Sequence, residues 1–330
     1  MYRTAFHPGE ISANSFLITG GAGFIGSHIV EYLLKWNAGR VVALDNLATG
    51  NLQNIKPFLG LSNFEFIEGD ICDPSDCERA CKGIDFVSHQ AALGSVPRSI
   101  ENPLATHQVN ATGFINVLIA ARNAKVKRIV FASSSSVYGD LNESPKVEER
   151  IGKPLSPYAV SKLVNEQYAA IFASTYKMEI TGLRYFNIFG PRQNPDGPYA
   201  AAIPLFIRSL MNGQPVYING NGEQSRDFTF VENAVQANMK ALFCENPASL
   251  NRVFNIAYGS SISVNEMFHQ IAEAIAPGSK AIHREERFGD VKNSKADISA
   301  AGKILEYSPS VEFNEGLKNT ISWFRSNHAS

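Results

Sequence analysis

Residues 16–26 read FLITGGAGFIG: the apolar run Phe16-Leu17-Ile18 enters Thr19 and then four glycines at 20, 21, 23 and 26. The stretch holds G-x-G-x-x-G as Gly21, Gly23 and Gly26, and G-x-x-G-x-x-G as Gly20, Gly23 and Gly26. Glycines suit a tight turn where a diphosphate approaches the backbone, and the last one lets a helix pack close to the strand. The helix then points its positive dipole end at the phosphates. A lone G-x-G-x-x-G is weak; here a strand precedes it and a helical pattern starts near Gly23.

Working outward, short β-rich runs alternate with helical patterns. The runs are Val41-Val42-Ala43-Leu44, Phe64–Ile67, Phe86-Val87, Ile129-Val130-Phe131 and Ile180–Leu183, with helical segments starting near Ser75, Leu104 and Pro157. Apolar strands alternating with helices predict an α/β fold, a Rossmann-type doubly wound parallel sheet covered on both faces. After Phe189 the pattern loosens. Residues 190–200, GPRQNPDGPYA, predict a loop or lid. Helices follow near 200–212, 231–244, 264–275 and 314–325. The predicted organisation is a dinucleotide-binding domain over residues 1–190 and a smaller mixed α/β substrate domain over 191–330. A strand near 253–257 is a candidate to return to the first sheet.

Composition excludes several classes. The 330 residues carry a formal net charge of −1 with no block of like charge, which argues against a nucleic-acid partner. No apolar run reaches membrane-spanning length, so no membrane partner is expected. The first residues, MYRTAFHPGEIS, lack a hydrophobic signal core and read as a short polar lead-in. Cys72, Cys77, Cys81 and Cys244 have no zinc-type ligand set around them. A cytoplasmic protein with reduced thiols and no metal is the expectation.

The second strand run ends in Asp45, about 20 residues beyond Gly26, where a carboxylate binds the adenosine ribose hydroxyls and repels a 2′-phosphate. Asn46 follows rather than arginine, so NAD is favoured over NADP. A strand-end cap is the plainer reading of Asp45. Two readings stand for Asp70: a contact to the adenine amino group, or the N-cap of the helix after Pro74. His89 is expected to be packed and hydrogen-bonded, and the small pair Ala91-Ala92 leaves room for a cofactor.

The strongest chemical signal is Ser156-Pro157-Tyr158-Ala159-Val160-Ser161-Lys162. Ser156 suits an N-cap and Pro157 the first helical position. Tyr158 and Lys162 then share a face at i,i+4. A lysine cation beside a phenol stabilises phenolate, as does a bound nicotinamide cation, so a lowered tyrosine pKa is expected. The run Ser133–Ser136 stands at the carboxyl end of a strand, where open α/β sheets bind ligands. A hydroxyl there can bridge a sugar oxygen and Tyr158.

The motifs TGGAGFIGSH, LDNLATG, GDI, HQAA, SSSSVYGD, SPYAVSK, LRYFNIFGPRQ, SRDFTFVEN and GDVKNSKAD together resemble the extended short-chain dehydrogenase/reductase superfamily. Within it the chain is most similar to UDP-sugar 4-epimerases, above all those acting on N-acetylated UDP-hexosamines; HQAALGSVPRS and YINGNGEQSRDF carry that likeness. The resemblance implies a catalytic set of Ser134, Tyr158 and Lys162. It implies NAD contacts from Gly20, Gly23, Phe24, Ile25, Gly26, Asp45, Asn46, Gly50, Asp70, Ile71, Ala91, Ala92, Tyr158 and Tyr185, with Lys162 on the nicotinamide ribose. For the UDP-sugar it implies Ser95, Ser134, Ser136, Asn187, Tyr217, Asn219, Arg226, Arg287, Asp290 and Ser294. Ser294 stands where narrower epimerases carry tyrosine, which leaves space for an N-acetyl group; its plainer reading is the start of a helix after Lys295. Arg226 with Asp227 also reads as an exposed ion pair, and Arg287 as part of a solvated run with Glu285 and Glu286. The implied reaction is reversible 4-epimerisation through a transient 4-keto sugar in a homodimer. A 4,6-dehydratase or decarboxylase, a UDP-glucuronate epimerase and a non-catalytic NAD-binding protein are the alternatives. Ser135 and Ser136, standing where dehydratases carry Asp-Glu, count against the first.

Overall fold

The computed structural model describes residues 1–196, 199–286 and 293–327. Seven strands form one parallel sheet: β1 (Ser15–Thr19), β2 (Arg40–Asp45), β3 (Phe64–Glu68), β4 (Phe86–His89), β5 (Arg128–Ser134), β6 (Ile180–Tyr185) and, from late in the chain, β11 (Arg252–Ile256). Their spatial order is β11-β6-β5-β4-β1-β2-β3. The order reverses between β1 and β4, which opens a crevice at the carboxyl ends of those strands. Strand residues are buried on both faces, as in Arg40–Asp45, where five of six side chains are buried.

The crossover helices are α1 (Phe24–Lys35), α2 (Pro74–Cys81), α3 (Val96–Glu101), α4 (Pro103–His107), α5 (Gly113–Asn123) and α6 (Pro157–Tyr176). The segment predicted as one helix from Leu104 is broken by a π-helical turn at Gln108–Thr112. Leu17, Val87, Phe114, Phe131 and Phe172 fill the core on one side of the sheet, and Phe16, Ile29, Val130, Leu183 and Phe254 fill the other.

The smaller lobe contains β7 (Ile188–Phe189), α7 (Ala202–Met211), β8 (Tyr217–Asn219), β9 (Ser225–Arg226) and β10 (Thr229–Phe230); α8 (Val231–Leu242), which follows them, packs against α1 in the main core. After β11 come β12 (Ile262–Ser263), α9 (Val264–Ile275), β13 (Ile282–Arg284), β14 (Asn293–Ser294), α10 (Ser299–Leu305) and α11 (Phe313–Asn327). Its core gathers Phe189, Phe206, Phe230, Phe268 and Phe324. A short strand is expected from the sequence at Val216-Tyr217-Ile218, and β8 takes up two of those residues; the other short strands escape periodicity because two or three residues hold no detectable repeat. Ser294 lies in β14 and the next helix begins at Ser299, so Ser294 does not start a helix.

The polar lead-in expected at the N-terminus is wrong in part. Tyr2, Phe6 and Ile11 are buried and belong to the main core. The Tyr2 hydroxyl meets His28 Nδ1 at 2.8 Å, and His28 Nε2 meets the Pro191 carbonyl at 3.0 Å. The Tyr32 hydroxyl serves both the Phe6 amide and His7 Nδ1 at 2.6 Å. Spaced aromatics among polar residues give no periodic signal, yet each finds a pocket on α1. Removing the fully buried Tyr2 ring leaves a cavity, so Tyr2→Ala should lower stability by about 3 kcal/mol or more. The urea midpoint should fall at unchanged m-value; an unmoved midpoint would show that this segment does not pack as described.

Candidate active site

The crevice is a cavity of about 820 Å³ that runs from the glycine turn to the ends of β5 and β6. At one end the backbone is packed without room for side chains. Gly20 has φ 68°, and a Cβ on it would stand 2.8 Å from the Ala91 amide nitrogen. A Cβ on Gly26 would stand 2.0 Å from the Gly20 carbonyl oxygen. Gly23 caps α1 with no side-chain hydrogen bond, and the first turn carries no acid. The first-turn N–H groups are therefore left for an anion.

Asp45, at the end of β2, accepts hydrogen bonds from the amides of Ala22 at 3.0 Å and Leu47 at 2.8 Å. Burial raises its pKa and these backbone donors oppose that. A Cβ on Gly50 would stand 2.7 Å from the Asp45 carboxylate, so that loop closes against it. Asn46 donates to Asp70 at 2.9 Å. The cap of α2 is Asp73, not Asp70, which sets aside the capping reading of Asp70. Asp70, Ile71, Phe24, Ile25, Ala91 and Ala92 all line the cavity. This donor set fits a dinucleotide: a bare helix end for a diphosphate, a strand-end carboxylate for a ribose, and a turn with no Cβ to block approach.

At the other end stand Ser134, Tyr158, Lys162, Tyr185 and Asn187. Ser156 caps α6, its side chain accepting from the Ala159 amide at 3.2 Å, with Pro157 at the first position. Lys162 donates to the Ala132 carbonyl at 2.9 Å, and its ammonium lies 5.9 Å from the Tyr158 ring centroid. Burial lowers the Lys162 pKa to about 8, while the Glu166 charge opposes that. The expected depression of the Tyr158 pKa is not found. Burial raises it, and a hydrogen bond with Ser134 offsets part of the rise. Desolvation outweighs the one hydroxyl because the phenolate charge has left water. His89 is buried, with Nδ1 2.8 Å from Thr19 Oγ1, and burial lowers its pKa to about 3.

The four serines separate by role. Ser133 is buried and donates to Glu166 at 2.6 Å. Ser134 faces the cavity, and its Oγ accepts from the Ser136 amide at 3.1 Å. Ser135 opens the 3-10 turn Ser135–Tyr138, and the Ser136 hydroxyl is buried away from the cavity lining, with no hydrogen-bond partner among the described residues. The geometry thus puts Ser134, not Ser136, beside Tyr158.

Tyr185 donates to Gln90 at 3.1 Å and accepts from Asn238 at 2.7 Å. Asn187, at φ 37°, donates to the Asp227 carbonyl at 3.3 Å. Ser95 lines the cavity at φ 101° and caps α3. Arg226 and Ser294 are register partners on β9 and β14. Asp227 is fully buried and accepts from the amides of Tyr258, Gly259 and Ala296, so the exposed ion-pair reading fails. Tyr217 and Asn219 lie on β8 against β13, with the Arg284 guanidinium 3.3 Å above the Tyr217 ring. These four, Arg226, Ser294, Tyr217 and Asn219, do not line the cavity. Arg287 and Asp290 lie outside the described residues.

Sequence reading missed Asn110, in the π-helical turn. It is fully buried, accepts from the Leu93 amide at 2.7 Å and donates to Ser161 at 3.1 Å. It thereby ties the loop after β4 to α6. An amide inside the apolar pattern of a helix was the available signal. Arg98, Gln193 and Tyr199 also line the cavity unforeseen.

Comparison with known proteins agrees with this geometry. The NAD dependent epimerase/dehydratase family matches residues 16–257. A UDP-N-acetylglucosamine 4-epimerase from Methanobrevibacter ruminantium, solved with UDP-N-acetylmuramic acid, is 39% identical. It superposes with a TM-score of 0.89 over 95% of this chain and 98% of that one. A UDP-glucose 4-epimerase from Thermus thermophilus, solved with NAD, is 34% identical with a TM-score of 0.85 over 95% and 99% of the two chains. The UDP-glucose 4-epimerase of Mycolicibacterium smegmatis is 34% identical over 94% of this chain and 98% of its own.

The Lys162 value sets a pH dependence. The side chain is charged below about pH 8 and loses its proton as pH rises through that value, leaving Tyr158 without its cation. Turnover should therefore decline through about pH 8, and Lys162→Arg, which stays charged, should move that limb upward. A pH profile of kcat checks both; an alkaline limb unmoved in Lys162→Arg would remove Lys162 as its source.

Proposed function

The chain belongs to the NAD dependent epimerase/dehydratase family, with NAD as its cofactor, and from that premise we propose that it interconverts UDP-N-acetylglucosamine and UDP-N-acetylgalactosamine by inversion at carbon 4. The observation that carries the epimerase reading is that, among the described residues, no unengaged carboxylate lines the cavity. Ser135 and Ser136 follow Ser134 where dehydration would need an added acid and base. Among the described residues, the carboxylates lining the cavity are Asp45, Asp70 and Asp196. Asp45 and Asp70 are hydrogen-bonded at the glycine-turn end, and Asp196 pairs with Arg208.

Bound NAD supplies the reversible hydride acceptor. Tyr158, as phenolate, takes the proton of the sugar 4-hydroxyl and later returns it. Ser134 holds that oxygen and donates to it as charge develops. Lys162 keeps a positive charge beside the phenol, its ammonium 5.9 Å from the Tyr158 ring centroid. Asn187 lines the cavity beside Tyr158, and the family likeness assigns the UDP also to Arg226, Tyr217, Asn219, Arg287 and Asp290 beyond that lining, so binding energy is spent away from the reacting carbon and the sugar can turn over. Ser294, small and adjacent to Arg226, leaves room for the N-acetyl group.

A homodimer goes with this reading. Val160, Tyr168 and Ile171 form an exposed apolar stripe on α6, and Ile100 and Leu104 are exposed on α3 and α4. The α3 and α4 helices pack on α6. Ile171→Glu with Leu104→Glu should convert a dimer to a monomer in sedimentation; a wild-type monomer refutes this partner.

Incubation with UDP-N-acetylglucosamine, followed by NMR, should yield UDP-N-acetylgalactosamine without accumulation of NADH. A stable 4-keto-6-deoxy sugar, or no turnover, would sink the proposal. Ser294→Tyr should lower activity on the N-acetylated pair by about tenfold or more relative to UDP-glucose.

A further inference from the structure

We propose that Glu166 is a positioning residue of the catalytic centre, holding the end of β5 against α6 and placing a carboxylate one helical turn from the buried Lys162, an inference that rests on the reading of Ser134, Tyr158 and Lys162 as the catalytic groups. Tyr158, Lys162 and Glu166 occupy positions i, i+4 and i+8 of α6, on one face. The Glu166 side chain is 9% exposed. Its carboxylate accepts three hydrogen bonds: from Ser133 Oγ at 2.6 Å, Arg184 Nε at 2.9 Å and Arg184 Nη2 at 2.8 Å.

Ser133 and Arg184 are partners across β5 and β6, and the next row of that register is Ser134 opposite Tyr185. One carboxylate therefore ties a helix to two strands one peptide unit before Ser134. The far flank of Ser134 is fixed by the same network. Arg184 Nη1 donates to the Tyr138 hydroxyl at 3.1 Å, and that hydroxyl donates to Asn255 Oδ1 at 2.7 Å. Tyr138 closes the turn that begins just after Ser134. The separation of Ser134 from Tyr158 is thus set from both sides of the serine. A buried ion pair adds little net stability over a well-packed apolar pair, whereas a bidentate fork fixes geometry.

The charge acts on Lys162, which is 2% exposed. Ionisable groups on the elements packed around it are Tyr158 and Glu166 on α6, His89 on β4, and Arg184 and Tyr185 on β6. Arg128 lies at the far end of β5 and Tyr138 follows it, Tyr168 and Tyr176 lie further along α6, and Arg98, Glu101, His107 and Arg122 lie on α3, α4 and α5. His89 is neutral, Glu101 is exposed, and Arg184 is engaged by Glu166. Glu166 is the buried anion one helical turn from Lys162, and its charge opposes the loss of the lysine proton.

The test follows the titration of Lys162 by NMR of isotope-labelled lysine side chains in the NAD-bound protein, with Lys162→Met to assign the signal. Glu166→Gln should lower the Lys162 midpoint by about one pH unit. Should that variant fail to fold, Glu166→Gln with Arg184→Gln leaves no unpaired buried charge, and its midpoint should also fall below wild type. Ser133→Ala should leave the midpoint in place and lower kcat about tenfold at unchanged KM, because only alignment is lost. A wild-type Lys162 midpoint in the Glu166 variants, with or without loss of turnover, overturns the charge role; wild-type kcat in Ser133→Ala overturns the alignment role. Failure of the wild-type protein to epimerise UDP-N-acetylglucosamine bears on the substrate and leaves the titration standing, since the titration needs none; the Ser133→Ala kcat is then read with UDP-glucose.

Discussion

The rest of the molecule is arranged around a turn with no space for a methyl group. Gly20 lies against the backbone of Ala91, Gly21 against Ala43, and Gly26 against the Gly20 carbonyl. A Cβ at any of them would meet a neighbour at 2.8 Å or less. This brings the β1–α1 turn into the gap between β2 and β4, where the sheet order reverses. The helix end can then face an anion with nothing in between, and the carboxylate of Asp45 reaches the amide of Ala22 inside the turn. Loss of one glycine would push β1, α1 and the loop after β4 apart together, because all three meet at van der Waals contact.

The first half of the chain was legible because its signals are long or redundant. Seven residues of β5 and twenty of α6 carry their pattern unaided, and Ser156-Pro157 marks the start of α6. Tyr158, Lys162 and Asp45 were legible for a related reason: each is fixed by its distance along one element from a recognisable end. Asn110 was not, since its position depends on a π-helical turn that shifts the register of the helix by one residue. The burial of Tyr2 and Phe6 was hidden because their pockets are made by α1, not by any neighbour in sequence. The strands that carry Arg226 and Ser294 are two residues each, and only their pairing defines them.

Burial governs the chemistry of the centre more than any single partner does. It lowers Lys162 to about 8 and His89 to about 3, and it raises Tyr158. Burial thus works against charge at all three positions in the protein alone, while Lys162 stays protonated below about pH 8. A phenolate at Tyr158 depends on charge supplied from outside the side chains, by a cationic ring, added to the Lys162 ammonium. On the proposed reading, a nicotinamide cation bound beside Tyr158 would raise the acidity of that phenol where the sugar hydroxyl is held. His89, with its low pKa, adds no competing positive charge.

The later half of the chain is joined to this centre by apolar packing, as where α8 and α10 bury Val235, Met239 and Leu305 in the main core, and by buried polar groups. Asn255, on the edge strand β11, donates to the carbonyls of Lys146 and Asp297 at 3.0 Å and accepts from Tyr138. Asp227 gathers amides from the loop after β11 and from Ala296, two residues past Ser294, and burial raises its pKa to about 7. Unpaired buried groups are expensive, so each of these bonds fixes the strand it touches in one place. The return of β11 to the first sheet is what makes this possible. Without it, Asn255 and the loop at 258–259 would lie beyond reach of Tyr138 and Asp227, and β14, with Ser294, would have no fixed relation to Ser134.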